Sequence, residues 1–428
     1  GGTYTAAADG SGDIVGVLIN ADDGEISFAV NGTVQNSGVP AFSGLTGPYR
    51  FALDSESNGF VVVNFGQDDT FAGLKTSGSA AASDENGKGK FFATPPAGFL
   101  ALMDDNLPRK SDVISPDWVW IKARTATANH YLFDTVRGVE KNLHSNTTDA
   151  EATDTNTLLS FDSQGFTVGD NDDVNKATID FVGWTWKAGT SVSGTTTGSG
   201  TGKAYTGSVK TEAGFSIIAY TGNGTAGHTI PHHLGVAPRV VITKKRSSTG
   251  SWGTYHAGLT SASYYILLND TAAEASNNVY FNGTAPTDSV VTRGTGADGN
   301  ANDVTYIQYA FAEIEGYSKF GSYVGNGNAN GTYVFLGFRP ALVIIKNRTN
   351  SGTNFLLFDN KRSVSNVTND ALLAGGTATE YADNSSFAID MLSNGFKARS
   401  SYGDSNQSGS TMIYLAFAES PFKYANAR

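Results

Sequence analysis

"PRVVITKKR", residues 238–246, is a short apolar run that stops abruptly in cations. Nearly the same phrase stands at residues 116–124 as "PDWVWIKAR" and at 340–348 as "PALVIIKNR". From Pro116, Pro238 and Pro340 a Lys follows at plus six (Lys122, Lys244, Lys346) and an Arg at plus eight (Arg124, Arg246, Arg348). In an extended strand the even offsets share a face, so Val240, Ile242, Lys244 and Arg246 point one way, as do Trp118, Trp120, Lys122 and Arg124. On the other face the residue at plus three is Val119, Val241 or Val343. The strand is therefore expected to be buried at its start and to emerge into water at the cations. A device common to three copies, one with four Trp and one with none, fits a shared fold better than a shared ligand.

More of each copy repeats. "HYLFD" (130–134) matches "FLLFD" (355–359), and "NTTDAEA" (146–152) matches "NDTAAEA" (269–275). Each copy closes on an aromatic segment, "GWTWKAG", "YAFAEIEG" or "LAFAESP". Three related modules follow, over residues 106–190, 213–316 and 317–428, with the Gly- and Thr-rich stretch 191–212 between the first two read as a linker or an extended arm over a neighbour. The chain holds 51 Gly, 25 Phe and 18 Tyr, and its apolar runs of five to eight residues end at Gly, Asn or Asp. That pattern predicts an all-β chain of tandem antiparallel β-sandwiches, jelly-roll or concanavalin-like.

The net charge is −11, which argues against a sequence-independent grip on nucleic acid or an anionic membrane. Without Cys there are neither disulfides nor thiolate metal sites, and stability has to come from burial or assembly. No apolar run approaches the roughly 20 residues of a membrane helix, so no membrane insertion is expected. Gly1-Gly2 opens the chain without Met, as expected of a cut terminus or a piece of a longer polypeptide.

Residues 1–105 do not repeat. "GDIVGVLINADDGEISFAVNG" (12–32) reads as a strand, a turn at Asp22-Asp23-Gly24 and a second strand. With "GFVVVNFGQDDTF" and "PPAGFLAL" it resembles the second half of a SPRY domain, a concanavalin-like sandwich that mostly binds proteins, here without its first strands. Residues 76–90 read as an exposed loop. The three modules, on "PDWVWIKAR" with "DTVRG", "LGVAPRVVITKKR", and "GFRPALVIIKNR" with "FDNKRSVSNV" and "AFAESPFKYANAR", resemble a tandem module of large virion proteins of marine bacteriophages. The resemblance implies a tail fibre or tail-associated virion subunit, host-facing, with other virion proteins and copies of itself, as in a trimer, as partners. Attachment to a host glycan or protein is the function it favours, with a purely architectural or capsid-decorating role and a polysaccharide depolymerase as alternatives.

Sites of chemistry are sparse. "GNGTAG" (222–227) satisfies a dinucleotide fingerprint by spelling, yet Pro231 stands where a helix should run, so a β-turn is the better reading. His228 and His232 are four apart, but on a segment with Gly and Pro that will not align them on a helix for a metal. Asp170, Asp172 and Asp173 lack the Gly and distal Glu of a calcium loop. No catalytic motif, cofactor loop or metal set stands out, and the chain is expected not to be an enzyme. A depolymerase would need only two carboxylates about 5–10 Å apart, which no motif marks. Trp118 and Trp120 align with Val240, Ile242, Leu342 and Ile344 and are expected in the core. Trp252, Tyr255 and His256, in the Gly- and Ser-rich loop "RSSTGSWGTYHAG", are the candidate ligand-binding residues, with Trp252 lacking an apolar counterpart.

Overall fold

The structure is a computed structural model and describes residues 12–20, 23–46, 62–76, 82–102 and 115–418. The chain divides into two compact units, Gly1–Asp112 and Val113–Arg428. Among the described residues the chain is built of antiparallel strands, and its three α-helices are single turns.

In the first unit Val15–Asn20 pairs with Glu25–Val30 as the alternation predicts, and Thr33–Val34 folds back on Ala29 and Val30. Asn31 and Gly32 make that second reversal with φ of 48° and 87°, the backbone an Asn-Gly hairpin turn requires. Of the turn expected before Glu25, Asp22 lies outside the described residues. Residues 62–76 and 82–102 carry turns and one isolated bridge, Ala82 to Phe91, in place of regular strands. Pro95 and Pro96 cannot donate to a ladder. The loop at 82–90 is organised by buried Asp84, whose carboxylate accepts the N–H groups of Asn86, Lys88 and Ala101.

In the second unit each module carries the opening motif on a central strand: Trp118–Ala123, Val240–Lys245 or Pro340–Asn347. On one side it pairs with the module's closing aromatic strand (Phe181–Trp186, Thr305–Phe311 or Thr411–Ala418). On the other it pairs with Tyr131–Asp134, Gly253–His256 or Leu356–Asp359. Modules two and three add a leading strand, Phe215–Thr221 or Ser318–Val324, outside the closing strand. Val119, Val241 and Val343 face outward into a local core of their own module, closed in modules two and three by a second, three-stranded sheet and in module one by the hairpin Leu158–Asp162 with Gly165–Val168. Each module is thus a small sandwich.

The stretch 191–212 is not a linker. Thr190–Thr195 and Ala204–Lys210 form a hairpin that extends the second module's sheet past Phe215–Thr221, and Thr197–Gly198 pairs with His228–Pro231. Its polar composition suits edge strands, which need one buried face. Tyr205 and Val209 supply that face, and a Cβ on Gly194 would stand 2.8 Å from the Tyr205 hydroxyl.

The inner faces of the three central sheets meet in one core. Trp118 and Trp120, Val240 and Ile242, and Leu342 and Ile344 all belong to it. Trp186, Phe311 and Phe417 hold the same place in the three closing strands, opposite Trp118, Val240 and Leu342. Their rings meet edge to face, with centroids 6.4 Å apart for Trp186 and Phe311, 5.6 Å for Trp186 and Phe417, and 5.8 Å for Phe311 and Phe417. This is a pseudo-threefold axis within one chain.

The seams repeat with the same symmetry. The Glu151 N–H donates to the Arg246 carbonyl, Glu274 to Arg348 and Glu380 to Arg124. The same arginines pair with the same carboxylates: Arg246 Nε to Glu151 at 2.8 Å, Arg348 to Glu274, and Arg124 Nη2 to Glu380 at 2.7 Å. The third pair joins module three to module one, so the ring is closed. Glu380 also takes Arg362 Nη1 at 2.7 Å, with both side chains buried.

Glu380→Ala is expected to cost roughly 3 kcal/mol, because it leaves buried Arg362 short of an acceptor as well as opening the ring. Glu274→Ala should cost less, since it leaves no second buried guanidinium unpaired. Denaturant titration of the two variants checks the order. Phe311→Ala, at the axis, should cost about 3–5 kcal/mol and destabilise all three modules in one transition.

Candidate functional site

Trp252, Tyr255 and His256 do not form an exposed loop. They begin and end the strand Gly253–His256 and its lead-in, and all three are buried, Trp252 completely. The indole of Trp252 lies in the shared core and its Nε1–H donates to the His144 carbonyl of module one at 2.8 Å, while its own N–H donates to Asn269 Oδ1. Tyr255 packs edge to face on Phe281 in the local core. His256 Nε2 donates to the Tyr414 carbonyl of module three at 3.1 Å, and its Nδ1 accepts from the Gly258 N–H.

Strand register supplies the counterpart that Trp252 lacks in the sequence comparison. Leu132, Thr254 and Leu357 stand opposite Trp120, Ile242 and Ile344, which places Trp252 level with His130 and Phe355. The third module carries one extra residue between its Arg and this strand, and that insertion hides the match when residues are counted from the opening motif. His130 and Phe355 are buried too. His130 accepts from Trp120 Nε1 and donates to the Leu373 carbonyl of module three, the same inter-module reach that Trp252 makes.

His256 is level with Asp134 and Asp359. Asp134 accepts from the Tyr309 hydroxyl of module two at 2.7 Å and pairs with Arg137; Asp359 accepts from Trp184 Nε1 of module one at 3.1 Å and pairs with Arg362. All three positions therefore make a polar contact with the closing strand of the next module. The "DTVRG" and "FDNKRS" phrases are this seam, and module two replaces the acid by a neutral histidine. Burial pushes the His256 imidazole down to about 4 and that of His130 to about 3.

The lysines of the opening motif do not emerge into water. Lys122, Lys244 and Lys346 are completely buried. Lys244 Nζ donates to the carbonyls of Thr148 and Gly250, Lys346 to those of Thr271 and Thr353, and Lys122 to that of Ala123. Thr148 and Thr271 belong to the preceding module, so Lys244 and Lys346 tie loops across the seam. Desolvation pulls each ammonium down to about 8. Partial burial of the arginines at plus eight, paired as above, completes the motif as a joint between modules.

The remaining motifs are structural as well. "GNGTAG" is a turn whose Asn223 side chain donates to the Ser199 and Thr201 carbonyls, and a strand follows it. His228 bonds Asn300 and Thr196, and His232 bonds the Thr287 carbonyl. Asp172 pairs with Lys176, and Asp173 accepts from the Tyr131 hydroxyl. Among the described residues no three His, Cys, Asp or Glu side chains are placed to hold a metal. Large apolar side chains do reach the surface on the third module's outer sheet, where Tyr333 and Phe335 are 43% and 59% exposed on the edge strand Tyr333–Phe335. Both project from the same face, and Lys319 Nζ lies 5.2 Å from the Phe335 ring centre.

Trp252→Ala is expected to lower stability by about 3–5 kcal/mol, with the loss read from denaturant unfolding. The lysines give a pH dependence of definite sign. Their folded pKa lies below the unfolded value, so the folded state sheds protons first and their contribution to stability rises between pH ~8 and ~10. Lys244→Met should flatten that rise, as followed by unfolding midpoints across this range. The buried histidines work in the same sense at lower pH: stability is lost as pH falls from about 6.5 towards 4.

No curated protein and no solved structure matches the chain. A family model described as a domain of unknown function, DUF7483, matches residues 110–421, the whole span of the three-module ring, and the chain belongs to that family.

Proposed function

We propose that the chain is a non-enzymatic structural component of a bacteriophage virion, a tail fibre or tail-associated subunit that contributes to attachment at the host surface. The observation that carries this reading is the use of the polar side chains. The acids and arginines shared by the modules, and two of the three shared lysines, are spent on seams between them, which suits a rigid part better than a catalytic groove. The attachment residues first suggested by the sequence, Trp252, Tyr255 and His256, are core. Contact with a glycan or protein receptor is assigned instead to the exposed pair Tyr333 and Phe335 with Lys319, an aromatic face with a cation beside it.

A purely architectural role is the second reading, and sheet edges favour it. Among the described residues, Phe181–Trp186 and Ser318–Val324 end their sheets with no further strand beside them, whereas the second module's leading strand is covered by Ala204–Lys210. Open edges of this kind are where other virion proteins or further copies of the chain add strands.

Both readings place the protein in the mature particle, and gold labelling of purified phage with an antibody to the chain should mark the tail. Labelling of lysate but not of particles would sink both. Purified chain should compete with phage for adsorption, and Tyr333→Ala with Phe335→Ala should abolish the competition without changing the unfolding midpoint. Virion labelling without competition leaves the architectural reading alone.

A further inference from the structure

In the local core of the third module, Ile345 and Tyr414 face each other across the central pair of strands and are packed among apolar side chains. The second module has Thr243 and Gln308 at these two places, and Arg293 reaches in from Val290–Arg293 to meet them. Arg293 is completely buried. Its Nη2 donates to Thr243 Oγ1 at 2.8 Å and to Gln308 Oε1 at 2.5 Å. The guanidinium carbon lies 5.5 Å from the ring centre of Tyr220 and 5.2 Å from that of Phe281, so both flanks are aromatic.

What this core does not supply is negative charge. Among the described residues no carboxylate pairs with Arg293, although every other buried arginine of the ring's seams has one. The two nearby phenols are not a substitute. Tyr220 donates its proton to the Gly299 carbonyl and Tyr306 to that of Ala297, and burial pushes the Tyr220 hydroxyl up to about 12, so both stay neutral at physiological pH. Three buried polar atoms then have no partner in the protein: Nε and Nη1 of Arg293 and Nε2 of Gln308. All three are donors. An unpaired buried charge costs several kcal/mol, more than a fold of this kind tolerates without a partner. Water is a poor answer, because a buried water also needs acceptors for its own protons.

The geometry points to a buried site for one small monovalent anion, a halide being the simplest, held by Arg293 and Gln308 in the local core of the second module. Size is set by the surroundings. Outside its own helical turn, a Cβ added at Gly299 would meet nothing closer than Arg293 Nη1 at 3.9 Å and the Tyr280 carbonyl at 4.0 Å, so there is room of about one methyl group beside the guanidinium. Chloride needs no hydrogen of its own and takes donors only, which is what the site offers. The anion would bind the folded state alone and so stabilise it by mass action.

The test uses the full chain in sodium bromide against sodium gluconate at matched ionic strength. The thermal midpoint should rise with bromide concentration and stay flat in gluconate, and crystals grown in bromide should show an anomalous peak beside Arg293 and Gln308. Gln308→Glu would supply the missing charge from within, so this variant should keep a high midpoint without halide and lose the bromide dependence. Arg293→Met should lose it as well; if that variant fails to fold, the glutamate variant decides alone. A water oxygen without anomalous signal, equal midpoints in the two salts, or an undiminished bromide response in Gln308→Glu would each overturn the assignment.

Discussion

The pairing of each module's arginine with the preceding module's glutamate is the constraint on which the second unit depends. A single such pair at a surface contributes little, but here it is held twice over, by side chain and by the backbone bond from the Glu N–H to the Arg carbonyl. Two of these joints follow from sequence order alone, between neighbours in the chain. The third, Arg124 with Glu380, spans 256 residues and brings the last module back against the first. Once that is made, the inner faces of all three sheets have a partner and the core at the axis can close.

This arrangement answers a problem of size. A small sandwich has too little interior to bury both faces of its central sheet. Each module here solves half of it locally, with the outer face covered by its own second sheet or hairpin, and delegates the inner face to its two neighbours. The apolar run on both faces of the opening strand is the direct consequence. Lysine at plus six is the less obvious one: in modules two and three, where the strand leaves the core, a carbonyl of the preceding module (Thr148 or Thr271) and one of the module's own (Gly250 or Thr353) turn inward, and one ammonium satisfies both. Desolvation makes this expensive, yet it occurs at both seams that follow chain order, which argues that the orphaned carbonyls would cost more.

Much of this was legible from the residues. The repeat, its register, the all-β class and the core positions of Trp118 and Trp120 all follow from alternation and self-similarity, because burial on both faces leaves a pattern in one strand. The closure of the modules into a ring does not show in any one strand. Its trace is a second repeated motif of opposite charge, Glu151 and Glu274 in "NTTDAEA" and "NDTAAEA", and it takes the structure to join these to the arginines and to find Glu380 in "TATEYA". Trp252 was misplaced for a related reason. Gly and Ser around it report an irregular backbone, not an exposed one, and a lead-in that crosses a seam is buried by a neighbour its own sequence does not name. The arm at 190–210 misleads in the same way, since an edge strand needs apolar residues on only one side.

Departures from threefold symmetry separate what the fold needs from what it leaves free. Where the second module exchanges Asp for His256, it also has Leu259 three residues on, where the others have Arg137 and Arg362, so the ion pair is lost as a unit and the seam keeps a neutral hydrogen bond. That exchange is compensated. The charge at Arg293 is met by polar Thr243 and Gln308, where the third module has Ile345 and Tyr414, but among the described residues by no carboxylate, and the aromatic side chains at Tyr333 and Phe335 stay largely exposed. A repeated fold tolerates a costly residue in one copy only if something outside the repeat offsets it. Both features are therefore read as sites for another molecule, one inside the second module and one on the surface of the third, and the invariant seams are read as the frame that holds them apart.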